Sequence, residues 1–252
     1  MQNPLERNRS RANFAIITLW LILPFILLSA ASYYYLVTTI YRDGGVFINP
    51  ILDNMEWQKE IAFGRLIILI ITGISFASWM SAAYRNLKVL QQHELSYSPS
   101  TAFVGWFIPL ANLFIPPKML SEIWKFTPDA LNEKRTAAEK EKDEVSPIGA
   151  WWFFYLMAGA GTGAGIFLTS IKGWGGDVYN YKGGWIGLAG CACDLVALFT
   201  AMYMVREISR RETALYERVQ QQLDSGELEF ASGEEEEKRA SDENAMNEEA
   251  TA

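Results

Sequence analysis

Histidine and cysteine are scarce in this chain, with one His and two Cys among 252 residues. His93 stands alone in a polar connector, so neither His-based catalysis nor a hydrolytic metal centre can be built around it. Cys191 and Cys193 are two residues apart, which on a helix turns them to nearly opposite sides. They supply neither a disulfide framework nor a four-ligand metal site and read as small packing residues. Alternating ten-residue strands are missing, which excludes a membrane β-barrel. No internal repeat is evident, which weakens an inverted-repeat transporter. No basic, aromatic-interleaved patch points to nucleic acid. Gly173, Gly175, Gly176, Gly183 and Gly184 lack the strand-then-helix setting of a phosphate loop. Asp53 and Asp177 fall in loops and give no intramembrane carboxylate pair. No catalytic residue, cofactor or metal is therefore assigned, and no enzyme activity is expected.

What the chain has in abundance is apolar sequence, half of all residues, with nine Trp. It is gathered in blocks at Phe14–Tyr41, Ile61–Tyr84, Ile148–Ile171 and Trp185–Val205. Each reaches the roughly 20 residues that cross a hydrocarbon core of about 30 Å. Backbone groups in lipid must pair within their own segment, so the blocks read as helices. The fold expected is all-α: a polytopic membrane protein with four transmembrane helices, after a cytoplasmic segment 1–13. Arg7, Arg9 and Arg11 before the first block imitate a signal peptide. The apolar run is too long for one, and an uncleaved first helix with a kink at Pro24 is expected.

The net charge of −7 belongs to the tail. Residues 224–252 hold eleven Asp and Glu against Lys238 and Arg239, and the body is left slightly basic. Such a segment buries too little apolar surface to offset its ordering entropy and is expected to be disordered. The stretch 127–145 reads as a charged, exposed linker. Ile208, Leu215, Tyr216, Val219 and Leu223 form an apolar stripe for the membrane surface or a partner copy. Val46–Leu52 and Trp57 are expected to lie along the opposite interface.

Thr101–Pro117 is too apolar for water, yet short and broken by proline. If it does not cross, seventeen Lys and Arg fall on the side of the termini and four on the other, with Arg65 inside the second block. Basic residues collect on the cytoplasmic side, so both termini are placed there and the segment is read as re-entrant or interfacial. The alternative is a short transmembrane helix. Pro109 removes a donor, and Pro116-Pro117 is expected to stop any helix near residue 115. Asn112 needs a structural hydrogen bond at that depth. Lys118–Phe126 follows as a helix whose Met119, Leu120, Ile123 and Trp124 would lie in the headgroups.

Asp194 lies about 13 Å inside the fourth block, where an ionisable side chain costs about 2.5–3.5 kcal/mol on insertion scales. Gly187, Gly190, Cys191, Ala197 and Ala201 share its helix face, a surface for close packing. The third block offers a match in Gly159/Gly163 and Gly161/Gly165, and this helix, 148–171, could also join copies into a homo-oligomer. Thr162 and Arg65 are the partners within reach of Asp194, although Arg65 is expected to snorkel to the headgroups instead. Two readings of Asp194 stay open: a hydrogen-bonded packing residue, or a proton or cation site.

The run Trp79-Met80-Ser81-Ala82-Ala83-Tyr84-Arg85-Asn86-Leu87 is followed by Tyr97-Ser98-Pro99. Next come Trp106-Phe107-Ile108-Pro109-Leu110-Ala111-Asn112-Leu113, then Pro116-Pro117 and Glu122-Ile123-Trp124. In order and spacing this resembles the bacterial membrane family called domain of unknown function 4328. The likeness extends more loosely to Val205–Arg211 and covers about Ile61–Arg211. It implies a bacterial integral membrane protein without established activity, and it carries over no catalytic residue. Arg85 is read as a lipid-phosphate contact or a cap on the re-entrant element, and Asn86 as a partner for its broken backbone.

The candidate functional residues are thus Asp194, Thr162, Arg65, Arg85, Asn86, Trp106, Pro109 and Asn112. The leading expectation is an interaction, regulatory or scaffold module of the bacterial cytoplasmic membrane, meeting lipid and a protein partner on its cytoplasmic face. The alternative is a small transporter or channel subunit using Asp194. An enzyme acting on lipid ranks third.

Overall fold

The computed structural model describes residues 3, 5–43, 48–90, 95–106, 108–128, 146–170 and 176–226. The expected disorder of the acidic tail (beyond residue 226) and the character of the linker (129–145) lie outside these residues. Among the described residues every regular element is helical. They are α1 (Arg9–Asp43), α2 (Ile48–Val89), α3 (Pro99–Val104), α4 (Pro109–Phe126), α5 (Ile148–Ser170) and α6 (Gly176–Ser225). Four of them, α1, α2, α5 and α6, are long and apolar enough to cross a membrane, which makes this a multi-pass helical membrane protein.

The helices overrun the apolar blocks. At 1.5 Å per residue the 50 residues of α6 span about 75 Å, so it projects well beyond a hydrocarbon core of about 30 Å. The segment from Ile48 continues into the second block as one 42-residue helix, and Val46 and Phe47 lie outside the described residues. Pro50 permits this because it falls in the first turn, where its missing N–H forfeits no bond. Pro24 lies inside α1.

The four long helices are arranged as a chain of contacts, α5 on α6, α6 on α1 and α1 on α2, while α2 and α5 touch only sparsely. Glycine brings α5 and α6 into backbone contact. A Cβ on Gly161 would stand 2.8 Å from the Gly190 Cα, and one on Gly165 2.7 Å from the Gly187 Cα. On the α1 side, a Cβ at Gly187 would meet the Tyr33 ring at 2.4 Å. Helix α6 is therefore wedged between α5 and α1 at a spacing that only small residues allow. Gly159 and Gly163 face away from this seam, with nothing within 4 Å of an added Cβ.

At one end of the bundle the N-terminal segment packs on the far part of α6, where Asn3 Nδ2 donates to the Tyr216 carbonyl at 3.1 Å. Leu215, Val219 and Leu223 are buried in the same core as Leu5 and Leu87. The apolar stripe of α6 is thus covered by the chain itself, not left free for a bilayer or a second copy.

Helices α3 and α4 form a hairpin that starts and finishes at this end. The Ser81 hydroxyl donates to the Pro99 carbonyl at 2.8 Å. At the turn, the Trp106 ring lies 5.5 Å from Phe76 and 6.4 Å from Trp151. Phe76 is about 12 Å along α2 from Tyr84, whose hydroxyl bonds Glu122 of the returning α4. Against expectation α4 runs straight through Pro116 and Pro117. Interior prolines cost about 3 kcal/mol or more through lost bonds and clashes. Met119, Leu120 and Ile123 are fully buried, and each contributes on the order of 1.5–3 kcal/mol on leaving water. With Trp124 they face the protein core, not lipid headgroups.

Candidate functional site

Helix α6 carries Asp194 one turn beyond Gly190, on the small-residue face. Arg65 reaches it from α2. Arg65 Nη2 donates to Asp194 Oδ2 at 2.5 Å, and the side chains are only 13% and 14% exposed. Arg65 therefore does not snorkel away. Opposite charges attract strongly in a medium of low dielectric, and pairing offsets part of the cost of two isolated ions in lipid. Thr162 is nearby but not a partner of Asp194. Its hydroxyl donates to the Ala158 carbonyl at 2.8 Å, and its own carbonyl accepts from the Tyr33 hydroxyl at 3.3 Å.

A second polar centre lies where the N-terminal segment meets α2 and the far part of α6. Asn86, near the C-terminal end of α2, accepts from the Glu6 N–H at 2.8 Å and donates to the Glu6 carbonyl at 3.0 Å. Its Nδ2 also donates to Glu212 Oε1 at 3.2 Å. Asn8 Nδ2 completes the clasp, donating to Glu212 Oε2 at 3.2 Å and to the Trp79 carbonyl at 3.0 Å. Arg85 Nη1 donates to Glu6 Oε1 at 2.5 Å, and Arg11 holds the other oxygen at 2.8 Å. Asn86 and Arg85 thus tie down the N-terminal segment and leave the hairpin backbone to other residues. The hairpin is held by Ser81, by Tyr84 through Glu122, and by Arg211. The Arg211 guanidinium stacks 4.3 Å from the Trp124 ring and reaches the Trp124 carbonyl.

Glu212 lies beyond Arg206, Arg210 and Arg211 and well past the fourth apolar block, which ends at Val205. Burial pushes its carboxyl up to about 7, and the Asn8 and Asn86 donors offset only part of that. Glu207 goes the other way: its hydrogen bond from Arg210, helped by Arg211, holds it at about 2. Burial raises Glu6, but Arg11 and Arg85 outweigh it and keep the group below the usual carboxylate range.

Of the hairpin residues, Pro109 opens α4 at its first turn behind Ile108, whose backbone is extended. Trp106 packs among Phe76, Trp151 and Trp152. The side-chain hydrogen bond expected of Asn112 is not made at its Oδ1, which is buried without a partner among the described residues, as is Trp106 Nε1. The eight singled-out residues therefore fall into three places: the Arg65–Asp194 pair beside Thr162, the Asn86–Arg85 latch, and the hairpin turn.

Asn8, Glu212, Tyr84 and Glu122 were not among them. Glu212 carried a readable signal, since it interrupts the stripe of Ile208, Leu215 and Val219 at helical spacing. A carboxylate on a covered face requires donors, and Asn8 and Asn86 are those donors. Among the described residues no cluster of three or more His, Cys, Asp or Glu is placed to hold a metal.

The model for the family described as domain of unknown function (DUF4328) matches residues 58–210. That interval runs from the first third of α2 to Arg210 of α6. It includes Arg65, Asn86, the hairpin and Asp194, and it leaves out α1 and Glu212. No curated protein and no solved structure matches the chain. Since the match covers more than half of its length, the chain belongs to the DUF4328 family.

Proposed function

We propose that this protein is a non-enzymatic interaction module of the bacterial cytoplasmic membrane, with its working surface on the cytoplasmic face. Both termini lie on that side, as the distribution of basic residues favours. Helices α3 and α4 enter the inner leaflet as a re-entrant hairpin and return. The observation that carries this reading is the two-sided character of α4. Its inner face is clamped to the core by fully buried Met119, Leu120 and Ile123, while Leu110 and Phe114 on its first half are 75% and 64% exposed. An apolar ridge that leads from Leu110 and Phe114 in the leaflet to the exposed bases Lys118 and Lys125 suits a membrane protein partner that packs along α4 and emerges at the inner interface.

The alternative, a transporter or channel subunit using Asp194, is weakened by the Arg65 guanidinium that neutralises it. Photo-crosslinking in the native host tests the proposal. A photoreactive residue replacing Phe114 should give a discrete protein adduct, and the same residue replacing Phe167, an exposed position on α5, should give none. Lipid-only adducts at both positions, together with ion flux through liposomes holding the purified protein, would reverse the order of the two readings.

A further inference from the structure

The sparse contact between α2 and α5 leaves a cleft of about 240 Å³ on the side of the bundle away from the termini. Ser29, Tyr33, Gln58, Arg65, Leu69 and Thr162 line it. Its hydrogen-bonding groups are unbalanced. The Thr162 carbonyl is taken by Tyr33, and one Asp194 oxygen, Oδ2, by Arg65 Nη2. Two donors, Arg65 Nε and Gln58 Nε2, are buried and without a partner among the described residues. Residues 58 and 65 are seven apart, about two turns, so both project from the same side of α2. Buried donors without acceptors are rare in native proteins and ask for an oxygen ligand.

The surroundings say which kind. Leu66 and Ile166, also on the cleft, are 53% and 41% exposed, so the seam between α2 and α5 opens sideways onto hydrocarbon. A second, mostly apolar cavity of about 130 Å³ shares Leu69 as a wall and runs among Phe76, Trp151 and Tyr155. Polar donors near the interface, continued by apolar surface toward the bilayer centre, have the layout of a lipid. An arginine presents fixed donors suited to phosphate oxygens.

We propose that this cleft binds a phospholipid from the leaflet away from the termini, with Arg65 and Gln58 donating to its phosphodiester oxygens and an acyl chain in the α2–α5 seam. Arg65 then bridges Asp194 and the lipid, and the ion pair serves to aim the guanidinium.

Native mass spectrometry of the full chain, titrated with palmitoyl-oleoyl phosphatidylglycerol, tests this against the diacylglycerol of the same chains and against inorganic phosphate. The expected result is a one-to-one phospholipid adduct, weakened about fivefold or more when the phosphate group is absent. Gln58→Leu, which leaves the ion pair intact, should weaken it similarly at unchanged melting temperature, and Arg65→Lys, which keeps the charge but loses Nε, should weaken it as well. Equal binding of the diacylglycerol, or an unchanged adduct in both variants, would mean nonspecific boundary lipid and overturn the assignment. So would saturation by inorganic phosphate alone, or a protein dimer that forms in place of the adduct.

Discussion

Asn86 and Glu212 are 126 residues apart in sequence, yet Asn86 Nδ2 donates to Glu212 Oε1 at 3.2 Å. The same carboxamide holds both backbone groups of Glu6. One side chain thus joins the end of α2, the projecting part of α6 and the N-terminal segment. Replacing it by Asn86→Ala leaves a buried carboxylate and two backbone groups short of partners, each worth about 1–3 kcal/mol. The expected outcome is faster amide hydrogen exchange at residues 5–8 and a lower melting temperature in detergent. Exchange in α5, remote from the latch, should not change.

Glu212 makes stability depend on pH. Its carboxyl titrates at about 7 in the folded protein against an ordinary 4.5. The folded state therefore keeps the proton after the unfolded chain has lost it, and stability falls as pH rises from about 4.5 to about 7. The whole effect is on the order of 3 kcal/mol, and it levels off above pH 7. Glu207 and Glu6 are depressed instead, so their contributions are complete above 4.5 and fade only in more acidic solution. Thermal melts between pH 5 and 8 should show the decline for the native chain. Glu212→Gln should flatten it and melt higher at pH 8.

The Arg65–Asp194 pair predicts a non-additive mutant cycle. Asp194→Leu leaves a buried guanidinium without its counter-charge and should cost roughly 3–5 kcal/mol. Arg65→Leu should cost a similar amount. The double variant Arg65→Leu with Asp194→Leu should recover most of the loss, because apolar pairs at such sites are often as stable. Melts of all four proteins in lipid nanodiscs give the coupling directly, and additive losses would mean that the pair is not formed.

Two glycines in one helix separate packing from propensity. An added Cβ at Gly161 would lie 2.8 Å from the Gly190 Cα, whereas at Gly159 it would meet nothing within 4 Å. Gly161→Ala should force α5 and α6 apart and cost about 1–3 kcal/mol. Gly159→Ala should be neutral, or stabilising by up to about 1 kcal/mol through helix propensity. Unfolding in mixed detergent reads both.

The membrane helices were legible because lipid demands some twenty apolar residues in a row, and only four blocks meet that demand. The face of Asp194 was legible too, since small residues at steps of three, four and seven, Gly187 and Gly190 among them, mark a surface for close packing. Helix ends were not, because α6 carries on past Val205 with a mixed pattern whose apolar stripe fits a bilayer as well as the N-terminal segment. The pairing of Arg65 with Asp194 was within view but set aside in favour of snorkelling, because depth along two helices does not say which faces meet. Pro116-Pro117 misled because local breaking strength was weighed without the buried face that follows it. Glu212 was a missed signal, a lone charge inside a stripe otherwise read as apolar.

The account rests on α3 and α4 returning to the end of the bundle from which they left. Impermeant maleimide labelling of single cysteines, in a background carrying Cys191→Ala and Cys193→Ala, tests this directly. Lys125→Cys and Ser225→Cys should react only once the inner face is opened, and Trp57→Cys should react in intact cells. Labelling of Lys125→Cys from the same side as Trp57→Cys would contradict the account.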